Sequence, residues 1–108
     1  MTPVTIVVTV AAAGTPIQVQ AASLQVTRIV FEPLKANTGR ILVGTVGLVL
    51  ATGVNLIHDM AAPGAGAGGA VDSRTVDSVD GTNKLDLNEY YIDATVNGEK
   101  CRVTYWRA

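Results

Sequence analysis

Hydrophobic and polar residues alternate along much of this chain, and the alternation is that of strands. In residues 3–10, PVTIVVTV, Val4, Ile6, Val8 and Val10 share one face while Thr5, Val7 and Thr9 share the other. A period of two is the mark of a half-buried strand. Gly14 and Pro16 make 11–16 a turn, and 17–20 reads as a short edge strand. Residues 24–32, LQVTRIVFE, form a second long strand, which Pro33 ends because proline cannot donate to a ladder. Asn37 and Gly39 in KANTG suit a tight reversal with positive φ, so RILV at 40–43 is expected to return antiparallel as a hairpin. Short strands are predicted near 47–51, 54–58 and 74–79. Asn97-Gly98 predicts a second hairpin joining strands at 89–93 and 100–106.

The expected architecture is therefore all-β: one compact β-sandwich or small barrel of about seven short antiparallel strands, filling 1–108 as a single domain. AAPGAGAGGA at 61–70 has almost no side chain to pack and is expected to be a loop or arm.

Composition strengthens the β reading. Val, Ile and Thr supply 34 of the 108 residues, and their branched side chains fit a pleated sheet. Charged residues are only 16%, against about 25% in soluble domains. A surface with so few charges is suited to contact with copies of itself or a partner. The net charge of −1 gives no basic face for nucleic acid. The apolar start has no charged stretch before it and does not read as a signal peptide. ILVGTVGLVLATGVNLI at 41–57 carries no charge. It is shorter than the ~20 apolar residues that span a bilayer, and its glycines point to strands and turns rather than a membrane helix.

Groups that could do chemistry are sparse. His58 is the single histidine and Cys101 the single cysteine, so neither a zinc site nor an internal disulfide is expected. Cys101 reads as a small buried hydrophobe. Ser23, Ser73 and Ser78 stand in no nucleophile-elbow pattern. Aspartates and Glu89 crowd residues 72–93, but around Gly81 they do not align with a calcium loop. GAGAGG at 64–69 has no Lys-Ser/Thr after it and is not a phosphate loop. The expectation is no enzyme, no metal and no cofactor. Tyr90, Tyr91, Tyr105 and Trp106 gather near the end of the chain, where aromatics serve packing, interfaces or sugar stacking.

Four stretches carry a family resemblance: RIVFEPLKANTGRILVG (28–44), TGVNL (52–56), PG (63–64) and LDLNEYYIDATVNGEKCRVTYW (85–106). Together they resemble small virion proteins of tailed bacteriophages. There a strand runs into an ANTG turn and an IxVG strand, a PG element follows, and a YxDG…NGDxVRV hairpin closes the chain. The likeness covers residues 27–106 as scattered short motifs. Thr95 stands where such proteins often have glycine, 65–70 is longer than usual, and 3–10 lies outside it. The resemblance implies a non-enzymatic part of a phage particle. A capsid decoration (cement) protein on the virion surface comes first, a homotrimer bound to the major capsid protein. A head-fibre, neck or tail component, or a carbohydrate- or host-binding module, is the alternative. Candidate contact residues are Val4, Ile6 and Val8 on the first strand, Pro63, Gly64 and Gly66 in the loop, and Tyr90, Tyr91 and Trp106.

Overall fold

The computed structural model describes residues 2–61, 73–77 and 85–108. They form two packed antiparallel sheets, a small β-sandwich. The strands are β1 (Val4–Val10), β2 (Ile17–Gln18), β3 (Gln25–Pro33), β4 (Ile41–Val49), β5 (Val54–Met60), β6 (Arg74–Asp77), β7 (Leu85–Asp86), β8 (Tyr90–Ala94) and β9 (Glu99–Arg107). One sheet runs β1-β9-β3-β6, with β7 also on β3; the other runs β2-β8-β4-β5. Among the described residues no helix is long and apolar enough to cross a membrane. The uncharged run 41–57 lies in β4, β5 and the turn between them.

The alternation read from the sequence is the alternation of burial in β1 and β9. In β3 a register shift between Val26 and Arg28 breaks it, so Val26, which strict alternation sets opposite Ile29 and Phe31, is buried with them. Val8 and Val10 of β1, Val26, Ile29 and Phe31 of β3, and Cys101, Val103 and Tyr105 of β9 point inward from one sheet. Ile41 and Val43 of β4, Met60 of β5, and Tyr90, Ile92 and Ala94 of β8 meet them from the other. Burying each large aliphatic or aromatic side chain contributes roughly 1.5–3 kcal/mol, so this layer supplies most of the stabilisation. The ion pairs Arg28–Asp77, Arg40–Asp59 and Arg102–Glu32 involve exposed side chains and contribute at most about 1 kcal/mol each.

Both expected hairpins are corrected by the pairing. β3 does not pair with β4, and β8 does not pair with β9; in each case the chain crosses from one sheet to the other. The reversal at 35–39 has no positive φ at Asn37 or Gly39. It is a corner held by side chains. Asn37 is buried and grips the Lys100 backbone twice, donating from Nδ2 to its carbonyl (2.6 Å) and accepting its N–H at Oδ1 (3.1 Å). The buried Glu99 carboxylate accepts the N–H groups of Thr38 (2.6 Å) and Gly39 (2.5 Å) at one oxygen. Gly39 is obligatory for space, because a Cβ there would strike Thr95 Oγ1 and Val96. The 95–98 corner thus packs on the 35–39 corner. Arg40 and Thr95 complete the contact, with Thr95 N–H donating to the Arg40 carbonyl (3.1 Å) and Arg40 N–H to Thr95 Oγ1 (2.8 Å).

Several boundaries also move. The glycines at 44 and 47 do not break β4, which runs on to Val49. β7 and the 3₁₀ turn Leu87–Glu89 have no forerunner in the predicted elements. That turn is capped by Asp86, which also binds Ser23 and the Leu24 N–H. The Ser23 and backbone bonds hold the Asp86 carboxyl below its ordinary value.

A carboxylate that satisfies two backbone N–H groups is worth more than an exposed ion pair. Glu99→Ala is expected to lower unfolding free energy by about 3 kcal/mol, and Glu99→Gln, which keeps an acceptor oxygen, by about half as much. Arg102→Ala should cost less than about 1 kcal/mol. Urea unfolding of the three variants measures the order.

Candidate interaction surfaces

β1 pairs along its whole length with β9, from Val4↔Tyr105 to Val10↔Glu99, with no slip in register. No described strand lies on its other side. Of the residues proposed on it, Val8 is buried and Val4 and Ile6 are half-buried against the core. The side chains it offers outward are Thr5, Val7 and Thr9, with Val7 53% exposed. A partner reaching this edge meets those three side chains and a row of backbone N–H and C=O groups.

The second surface is an arm. β4 pairs with β8 only from Ile41 to Thr45, and its remaining residues run on with β5 alone. Between the pairs Gly44↔Leu56 and Val49↔Val54, residues 45–48 of β4 oppose the single Asn55 of β5. Asn55 takes φ 59° and donates from Nδ2 to the Val46 carbonyl (2.7 Å), filling the bulge. Leu48 folds back and is buried, and Gly44 leaves the space for it: a Cβ at 44 would collide with the Asn55 carbonyl and Leu48. The Gly53 N–H closes the turn on the Val49 carbonyl at 2.8 Å. This construction presents Val46 (65% exposed), Val49, Val54 and Ile57 to solvent. Four of the six large exposed aliphatics among the described residues stand on this one hairpin. Sequence reading passed over them. The uncharged run 41–57 was the available signal, and it was read only as strands and turns.

The aromatic residues do not share a surface. Tyr90 is in the core, its ring 6.1 Å from that of Phe31. Burial raises its phenol pKa, and the nearby Glu89 adds to the shift. Tyr91, its neighbour on β8, faces out from the β2-β8-β4-β5 sheet, whereas Trp106 faces out from the other sheet. The Arg28 guanidinium lies 5.9 Å from the Trp106 ring centroid, within cation–π range. Tyr90, Tyr91 and Trp106 therefore form no common platform. Pro63, Gly64 and Gly66 lie outside the described residues.

No described group of three or more His, Cys, Asp and Glu side chains could hold a metal. Asp93 is fully buried beneath the 11–16 turn, where its Oδ1 accepts the Gly14 N–H (2.9 Å) and the Ala94 N–H (2.8 Å). Its Oδ2 is buried without a hydrogen-bond partner. One carboxylate oxygen is not a coordination site, and the residue serves to hold the turn on the sheet. Cys101 is buried between β1 and β3, and burial pushes its thiol up to about 12. A thiol so placed is not a nucleophile at neutral pH.

Comparison of the chain with family models, curated proteins and solved structures finds no match. The fold and surfaces define the class: a small two-sheet β-sandwich with an open strand edge and an apolar arm.

The raised Cys101 pKa has a consequence for stability. In the unfolded chain the thiol ionises near its ordinary 9.0, in the folded chain near 12. Below pH 9 both states hold the proton and stability is full. Between 9 and 12 only the unfolded state loses it, so stability falls by up to about 1.4 kcal/mol per pH unit. Tyr90, also raised, acts in the same direction at higher pH. Urea midpoints measured from pH 8 to 11 should decline, and Cys101→Ala should flatten the decline between 9 and 10.

Proposed function

We propose that the chain is a non-enzymatic structural component of a tailed-phage particle, a decoration protein that sits on the capsid and binds the major capsid protein. The observation that carries the reading is the arm. Val46, Val49, Val54 and Ile57 stand exposed on one hairpin within a stretch, 41–57, that has no charged residue. Monomers rarely leave aliphatic side chains clustered in solvent unless something covers them. A shell of repeated subunits supplies many equivalent sites for such an arm. The phage-protein resemblance points to that setting, since its motifs ANTG (36–39) and TGVNL (52–56) are the corner and the arm themselves.

Mechanically, the sandwich body is a rigid mount. The corner contacts of Asn37 and Glu99 fix β4, and β4 carries the arm. Each arm offers four aliphatic side chains, worth at most roughly 1.5–3 kcal/mol apiece, and the lost freedom of association offsets much of that, so a single contact is weak. Several arms on an associated group of copies bind far more tightly, because the first contact holds the others at high effective concentration.

Quantitative mass spectrometry of purified particles tests the location. A copy number near that of the major capsid protein is expected. A number tens of times lower moves the protein to the head fibre, neck or tail, and absence from particles ends the reading. Val46→Asp with Val54→Asp places charges on exposed positions and should leave the fold intact. Shell occupancy should drop at least about tenfold, since charges are disfavoured at the core of an interface. Unchanged occupancy would remove the arm as the contact.

A further inference from the structure

Strand edges in this molecule are not alike. β2 and β7 have two residues each, and β6 has four and carries Arg74 and Asp77. β5 carries Asp59 and a ladder interrupted by two register shifts. Short length, charge and bulges are the devices that keep an edge from pairing with another chain. β1 has none of them. It is seven residues long, holds an unbroken register on β9, and contains no proline or charge. Val7 stands exposed in its middle.

The order of residues adds a second, independent observation. VTIVVTV reads nearly the same in both directions about Val7. If two copies of β1 run antiparallel around a two-fold axis at Val7, Val4 faces Val10, Thr5 faces Thr9, and Ile6 faces Val8. Val7 then faces its own counterpart. The outer row is Thr–Thr, Val–Val, Thr–Thr and the inner row is aliphatic throughout. Threonine pairs and β-branched aliphatic pairs are favourable cross-strand neighbours. No position sets a charge against an apolar group or a like charge. Shifting the pairing by one residue would set the inner face of one copy against the outer face of the other.

We propose that β1 is a homodimerisation edge: two copies of this chain join antiparallel through Val4–Val10 about a two-fold axis at Val7. The dimer carries one continuous sheet of order β6-β3-β9-β1 followed by the same strands reversed. Such an interface is isologous and closes on itself. A seven-residue antiparallel pair exchanges roughly six to eight backbone hydrogen bonds, and the exposed Val7 side chains cover one another. The assembly is a dimer, where the phage-protein resemblance alone led to the expectation of a trimer. The pairing needs only the β1 edge and does not depend on the particle reading above.

Sedimentation velocity of the full chain at tens of micromolar tests it. The expected mass is twice that of the 11.2 kDa chain; a monomer or a trimer overturns the proposal. Val7→Lys sets two lysines face to face at the axis and should raise the dissociation constant at least about tenfold, with an unchanged circular dichroism spectrum. A second pair of variants tests the register. Thr5→Glu with Thr9→Glu places like charges opposite each other and should give monomers. Thr5→Lys with Thr9→Glu places opposite charges there and should remain dimeric. Both carry the same glutamate beside Lys100, the residue paired with Thr9 on β9, so they differ only in the sign at position 5. A dimer that persists in the Val7→Lys variant, or equal behaviour of the two double variants, would show that association runs through another surface.

Discussion

The sandwich depends on a pair of corners that cross between its sheets side by side. β9 and β3 are the central strands of one sheet, and β8 and β4 are the central strands of the other. The chain joins them in two passes, β3 to β4 through 34–40 and β8 to β9 through 95–98. Asn37 and Glu99 tie the first pass to the start of β9. Thr95 ties the second pass to Arg40. If these contacts failed, both sheets would lose the alignment of their middle strands together. Another crossing, β1 to β2, docks on the same end of the molecule. The Ala13 N–H donates to Asn97 (2.7 Å), the Gly14 N–H to Asp93 (2.9 Å), and the Gly98 N–H to the Val10 carbonyl (2.7 Å). Buried polar groups normally cost stability unless each finds a partner. The buried Asn37 and Glu99 find partners across the corners, and so specify which strands face which.

What the sequence made legible follows from that division. Alternation reports which side of a strand is wet, and it did so for β1 and β9, where Val8 and Val103 are inward. In β3 the register shift between Val26 and Arg28 puts Val26 on the same side as Phe31, against strict alternation. Alternation does not report which neighbour a strand takes. Antiparallel hairpins and sheet crossings both begin with a strand, a few turn residues and another strand, so 35–39 and 96–98 looked like reversals. The distinguishing information lies in the partners of Asn37 and Glu99, sixty-three residues away for Asn37 and Lys100 and sixty for Glu99 and Gly39. No local rule reaches that far. The bulge at Asn55 was hidden for a related reason: its positive φ is set by the fit of its amide to the Val46 carbonyl across the hairpin.

The candidate surfaces were legible in part. β1 was marked as a contact element, but through the face that packs on the core; the parity of its contacts belongs to Thr5, Val7 and Thr9. The aromatic residues near the chain end looked like a cluster because they are close in sequence. In a strand, adjacent residues point to opposite sides, so Tyr90 and Tyr91 part company at once, and β8 and β9 belong to different sheets. The arm went unnoticed because exposed and buried aliphatic strands share a composition. Only the length of β4 beyond its pairing with β8 distinguishes them.

The two proposed contacts sit where they do not compete. β1 packs against β2 and β8 and so lies at the same lateral edge as β2, while β5 and the arm close the opposite edge of the second sheet. A two-fold pairing through β1 therefore leaves both arms at the far ends of the joined sheet, each still mounted on its own β4. The uncharged edge then has a physical explanation. A long open strand without charge, proline or bulge is a hazard in a monomer because it recruits any other strand. In a two-fold pair the strand is consumed by its own copy, and closure leaves no further β1 edge to propagate. Low charge, which would be a solubility defect in an isolated sandwich, becomes tolerable once the apolar edge is covered and the arms are seated. On this view the same feature, sparse charge, serves both contacts. Its absence from β1 permits self-pairing, and its absence from 41–57 permits docking, while the ion pairs Arg28–Asp77 and Arg102–Glu32 keep the outer face of the β1 sheet wet.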